Sequence, residues 1–139
     1  MSLGVEDRLA IEDLIVGYAT ALDTQDWDLC RSCFRPDART TMDRVGEFDT
    51  CEALIARLAP RLTIFTALQH FVSNFVIRGD GDTATARNHF VSHHVPKDGA
   101  PYTYGGVFEF DVVRDADGWR FAAHAIRILW EAGTPRPVD

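Results

Sequence analysis

The chain has no basic cluster, no long apolar run, no internal repeat and no low-complexity segment, and only three of its 139 residues are cysteine. With 14 Lys plus Arg against 21 Asp plus Glu, the formal net charge is −7. A phosphate backbone would meet no concentrated positive field, so nucleic acid is not an expected partner. No segment is long and apolar enough to span a bilayer, and no apolar stretch follows a basic start as a secretory leader requires; a cytoplasmic protein with no membrane partner is expected. An odd cysteine count in that compartment argues for free thiols rather than a disulfide framework. Cys30-Arg-Ser-Cys33 lacks the preceding strand of a thioredoxin-like motif and the second ligand pair of a zinc site. Trp27, Cys30 and Phe34 instead recur at helical spacing, which puts the thiols on or beside a buried helix face.

What is present is a helical first third and a β-rich remainder, of a length that suits one domain over residues 1–139. Ile11, Leu14, Ile15, Tyr18, Ala19 and Leu22 follow the i, i+3, i+4, i+7 pattern, with Glu6, Asp7 and Glu12 toward the start where the helix dipole favours acids. This predicts a helix over 5–22. Asp26 is the predicted N-cap of a short helix reaching Phe34 and stopped by Pro36, residues 38–42 read as a short strand, and Thr50 caps a third helix over 51–58 ended by Pro60. Gly- and Asp-rich turns at 78–82 and 115–118, with a looser connection at 96–101, then divide the chain into four long strands, 65–77, 83–95, 102–113 and 119–130. Strands of this length must twist and curl. The expected class is α+β: a cone-shaped, curved antiparallel sheet wrapped around the N-terminal helices, whose apolar interior suits a small hydrophobic molecule. The Pro135-Arg-Pro-Val-Asp139 tail cannot continue a helix and is expected to lie extended over a neighbour or to fray.

Strand alternation assigns faces. Tyr102, Tyr104, Gly106, Phe108, Phe110 and Val112 should look inward, which sends Glu109 and Asp111 outward and makes them poor catalytic candidates. The last strand changes parity, from Trp119, Phe121 and Ala123 to Ile126, Ile128 and Trp130, as a bulge or burial of both faces would require. Phe71, Phe75 and Ile77 alternate away from the face carrying His70 and Asn74. An apolar outer set of that kind predicts a homo-oligomer, a dimer in the first instance. His89 and His93 lie about 13 Å apart on an extended strand, and His93 and His94 point to opposite faces, so no metal site is expected. One of His93 and His94 must face inward, and alternation alone does not say which. His124 reads as a strand residue with a local partner.

Two ionisable residues carry the chemistry. Asp23 closes the first helix and His70 heads the β-rich half. An imidazole titrates near neutrality, and a carboxylate on one ring nitrogen fixes the tautomer and raises the basicity of the other. A fold that joins them builds a general base. Taken singly, Asp23 could cap the next helix and His70 could be a hydrogen-bonded core histidine.

The Tyr18-x4-Asp23-x2-Asp26-Trp27 opening, Phe34-x2-Asp37-Ala38, Gln69-His70-x3-Asn74, the Gly81 to Ala84 turn and Asp117-Gly118-Trp119 together resemble the SnoaL-like proteins of the nuclear-transport-factor-2-like superfamily. Within it the chain looks most similar to the scytalone dehydratase, hexachlorocyclohexane dehydrochlorinase and bile-acid dehydratase group. The resemblance implies that Asp23 and His70 are an Asp–His pair, that Tyr18 matches the tyrosine of the bile-acid enzymes, and that a late arginine, nearest Arg127, assists. It also implies a second histidine on the following strand, at His93 or His94. The step from Tyr18 to Asp23 turns about 140° on an ideal helix, so the two share a pocket only if the helix ends near Leu22.

The expected activity is that of a cofactor-independent lyase, a dehydratase, or an isomerase, which abstracts a proton from a small hydrophobic cyclic or polyketide-like substrate. His70 is the base, Asp23 its orienting partner and Tyr18 a hydrogen-bond donor to the carbonyl or the departing hydroxyl. Tyr102, Tyr104, Phe108, Asn74, His94 and Arg127 are the expected substrate-binding residues. The rival expectation is a non-catalytic ligand carrier, or an assembly subunit resembling the β subunit of ring-hydroxylating dioxygenases, which has no need of a polar pair in its cavity.

Overall fold

The first helix, α1, runs Val5–Thr24, two residues past its expected end. It closes on Gln25 at φ 54°, whose N–H returns to the Ala21 and Leu22 carbonyls. Asp26 caps α2, Trp27–Cys33, by accepting the Leu29 N–H at 3.0 Å, and both of its cysteines are buried. The chain then enters β1, Phe34–Met42, four residues earlier than expected, because Phe34 and Ala38 both have core positions to fill. A turn leads to the short β2, Gly46–Phe48, which the hydropathy pattern does not announce. Thr50 caps α3, Cys51–Leu62, accepting the Ala53 N–H at 3.1 Å. Contrary to expectation Pro60 does not end α3: in the final turn its missing N–H forfeits a single hydrogen bond.

The meander follows as β3 (Phe65–Asp80), β4 (Thr83–Pro96), β5 (Tyr102–Asp115) and β6 (Gly118–Ala132). Gly81, at φ 64°, makes the tight β3–β4 turn that a side chain would strain. The sheet order is β2-β1-β6-β5-β4-β3, and β1 lies parallel to β6, so the sheet is not wholly antiparallel as expected. This is an α+β cone: a curved, unclosed sheet around three helices. Ile11, Ile15, Tyr18 and Leu22 of α1 pack with Phe90, Phe108, Phe110 and Phe121 of the sheet, each such burial stabilising by roughly 1.5–3 kcal/mol. The computed structural model describes residues 2–134, so the 135–139 tail lies outside the described residues.

Three bulges set which side chains look inward. In β3 the register shifts between Ser73 and Val76, with Asn74 at φ 57°. Parity flips there, so Ile77 is buried and Phe75 packs against the core; the expected outer set of Phe71, Phe75 and Ile77 keeps only Phe71. In β6 one shift, across from Asp111 and Val112, accounts for the parity change seen in the sequence. The other, across from Gly105 and Gly106, turns Trp130 outward, where it covers Gly105; a β-carbon there would collide with the indole.

Candidate active site

Asp23 occupies the last turn of α1, where the helix dipole disfavours a carboxylate and no basic side chain offsets it. Its compensation comes from β3. The carboxylate accepts the His70 backbone N–H at 3.1 Å on Oδ1 and 3.0 Å on Oδ2, and Oδ1 lies 2.6 Å from His70 Nδ1. That contact assigns the proton to Nδ1 and leaves the Nε2 lone pair for the cavity that His70 lines. The His70 side chain is 8% exposed and that of Asp23 21%, so the pair is largely shielded from water.

The cavity, of about 150 Å³, is walled mainly by aliphatic and aromatic groups, among them Leu22, Leu58, Leu68, Phe90 and Ile126. Tyr102, Tyr104 and Phe108 lie on its wall, and Phe108 stacks on Phe90 at 4.3 Å. His94 is the inward member of its pair: it lines the cavity, stacks on Tyr102 at 4.6 Å and donates Nδ1–H to the Ser92 carbonyl at 3.2 Å. Burial, and then the nearby His70, push its pKa down to about 4. His93 faces away and contacts Thr103 Oγ1 at 3.0 Å.

Three expected site residues are placed elsewhere. Because α1 continues through Thr24, the turn of about 140° separates Tyr18 from Asp23. Tyr18 instead enters an aromatic cluster, with ring centroids 5.3 Å from Phe34 and 5.0 Å from His124. Its hydroxyl is buried with no hydrogen-bond partner, and desolvation raises its pKa well above the ordinary phenol value. Asn74 is carried outward by the β3 bulge and accepts the Ser73 hydroxyl at 2.8 Å. Arg127 is 65% exposed and pairs with Glu109 on the outer face at 3.1 Å. Glu109 and Asp111 do point away from the cavity interior.

Sequence reasoning missed Ser92, Arg44 and Arg61, all on the cavity wall. Ser92 stands directly across from His70 in the β3–β4 register and two residues from His94, but that register depends on the β3 bulge, which strand parity does not reveal. Arg44 lies in the turn before the unpredicted β2, and Arg61 in the turn of α3 beyond the expected stop, and neither had a usable signal. Among the described residues no three metal-ligating side chains converge.

The family model of the SnoaL-like domain matches residues 4–124. The chain belongs to the SnoaL-like family. An uncharacterized protein of Mycobacterium tuberculosis is 34% identical over 119 residues, which cover 84% of this chain and 81% of that one. Scytalone dehydratase of Colletotrichum orbiculare is 28% identical over 91 residues, covering 60% of this chain and 48% of the enzyme. Among solved structures, a Novosphingobium aromaticivorans protein provisionally assigned as an aromatic ring hydroxylase superposes with a TM-score of 0.87 at 30% identity, over 95% of this chain and 96% of that one. A hexachlorocyclohexane dehydrochlorinase, LinA type 2, superposes with a TM-score of 0.82 at 17% identity over 93% and 92% of the two chains, a likeness of fold. The SnoaL-like cone is thus shared with enzymes that eliminate and with proteins whose activity carries no assignment.

Proposed function

We propose that this SnoaL-like domain is a cofactor-independent lyase, a dehydratase, or an isomerase that works by the same proton abstraction on a small hydrophobic substrate. The single observation that carries this reading is the 2.6 Å contact between Asp23 and His70 Nδ1 on the wall of an apolar cavity. His70 Nε2 takes a proton from the carbon next to a carbonyl, and the C–H electron pair becomes the new C=C bond as the adjacent C–O bond breaks. The imidazolium, held by Asp23, returns the proton to the departing hydroxide, which leaves as water. His94 stays neutral at physiological pH, and with Nδ1–H tied to the Ser92 carbonyl it offers a lone pair rather than a proton. It therefore positions a substrate hydroxyl, Ser92 contributes a hydroxyl donor, and Tyr102, Tyr104 and Phe108 hold the apolar body. Water-poor walls strengthen each of these contacts.

The test uses solvent hydrogen exchange, since abstraction can be read without the physiological substrate. In D2O the protein should speed deuterium uptake next to the carbonyl of small cyclic ketones and β-hydroxy ketones, and His70→Ala should lose the effect. No catalysed uptake across such a panel would leave the second reading, a non-catalytic small-ligand carrier or assembly subunit. What favours that rival is the placement of Tyr18 and Arg127 away from the cavity, which leaves His70 without two of its expected helpers. We further propose a cytoplasmic homodimer joined through the outer sheet face, where Phe71, Val76 and Trp130 are exposed; the three free thiols suit a reducing compartment.

A further inference from the structure

We propose that Arg44 determines the specificity of the cavity and that the molecule it selects is an amphipathic acid, with its apolar body inside and its carboxylate on the Arg44 guanidinium in place of Glu131. This rests on the cavity being the ligand site, as in the reading above, but not on His70 chemistry. The β1–β2 turn crosses the cavity, and Met42, Asp43, Arg44 and Val45 all line it. The turn is fixed from below: the Asp43 N–H donates to the Ile126 carbonyl at 3.1 Å, Asp43 Oδ2 accepts the Ile128 N–H at 2.9 Å, and the Val45 N–H closes on the Met42 carbonyl at 3.0 Å. At its tip Arg44 is held at φ 67°, a left-handed conformation that arginine rarely adopts. Strain of this kind persists where the surroundings over-determine it, and it collects at ligand clamps.

The conformation lays the guanidinium over the Tyr104 ring at 5.6 Å and lets both Nη atoms grip the two Glu131 oxygens, Nη2 at 3.1 Å from Oε1. Arg44 lines the cavity and Glu131 does not. An exposed ion pair contributes too little to justify a strained backbone for its own sake. A planar, two-point carboxylate grip at the edge of an apolar cavity is, however, the arrangement that recognises a ligand carboxylate. Among the described residues the one carboxylate on this wall, that of Asp43, is held by the Ile128 N–H, so the Arg44 guanidinium meets Glu131 rather than a wall residue.

The test is calorimetric titration of the full chain at pH 7 with trans-cinnamate and with cinnamamide, which match in shape and differ in charge. Cinnamate should bind about ten-fold tighter or more, as a charge-assisted two-point contact implies. Arg44→Met should erase the preference, and so should Arg44→Gly, which relieves the strained φ and guards against a folding artefact. Glu131→Gln should tighten cinnamate several-fold, because the internal competitor is gone. A Glu131→Gln variant that binds cinnamate more weakly would make the ion pair a structural latch and overturn the proposal. So would equal affinity for the two compounds, or no saturable binding of either below about 10 mM. Binding is read without turnover, so a failed exchange assay would sink the elimination reading and leave this one standing, and the converse holds.

Discussion

Asp23 holds His70 by its main chain and its ring at once, with three contacts of 2.6 to 3.1 Å onto one carboxylate. The backbone contact fixes where β3 passes the end of α1, and the ring contact fixes which nitrogen faces the cavity. Asp23→Asn should therefore damage both links. An amide presents one acceptor where two N–H groups converge, so stability should fall by roughly 1–3 kcal/mol and exchange activity by about 10²- to 10⁴-fold. Melts and deuterium uptake measure the two; full exchange activity in Asp23→Asn would detach the carboxylate from the chemistry.

Tyr18→Phe should leave exchange activity within about two-fold and hold or raise stability, because the hydroxyl it removes is buried without a partner, a condition that costs roughly 1–3 kcal/mol. Thermal unfolding beside deuterium uptake gives the answer. A large loss of activity would mean that the phenol reaches the substrate after all.

Arg127→Gln should be silent in the same exchange assay, since the guanidinium pairs with Glu109 on the outer face. Its exposed ion pair contributes at most about 1 kcal/mol. A drop in activity beyond a few-fold would contradict the outward placement.

Acid should destabilise the fold through two histidines. Burial pushes His94 down to about 4 and His124 down to about 3, so both are neutral in the folded chain while the unfolded chain titrates near 6.5. Stability is then complete above pH 6.5 and is lost as pH falls from there toward 4 for His94 and 3 for His124. His124→Phe, which keeps the stack on Phe110, should roughly halve the slope between pH 6.5 and 4 and remove the remainder between 4 and 3; a slope unchanged by this substitution in melts across that range would exclude His124 as a source.

Oligomeric state should depend on the outer sheet face, where Phe71, Val91, Gly105 and Trp130 form one cross-strand row. Light scattering at micromolar concentration should give a dimer, and Phe71→Glu with Trp130→Glu should give a monomer that keeps its fold by circular dichroism. A wild-type monomer under those conditions would remove the proposal.

Local chemistry made much of this protein readable from its sequence. The spacing of Ile11, Ile15 and Leu22 places a helix, Asp26 and Thr50 cap two more, and the period of two in Tyr102 to Val112 sorts a strand into inward and outward faces. Each of these signals spans a few residues, so no knowledge of partners is needed. The bulges are different. Counting back from the Gly81 turn would set His70 opposite His93, and only the extra residue at the Asn74 bulge sets it opposite Ser92 and sends Asn74, Phe75 and Ile77 to faces that alternation reverses. A bulge gains nothing locally; it exists because the curved sheet must close over α1. The exit angle of Tyr18 was likewise fixed by two more residues of helix, stabilised through the hold of Asp23 on β3. Arg127 took its side from the pairing of β6 with β5, and Arg44 reached the cavity through a strained turn that packing alone sustains. The sequence by itself determined every element except the short β2, together with the two residues that have the chemistry of a base. Which of their neighbours share the cavity was decided by long-range packing, since a one-residue shift in register moves a side chain to the opposite face.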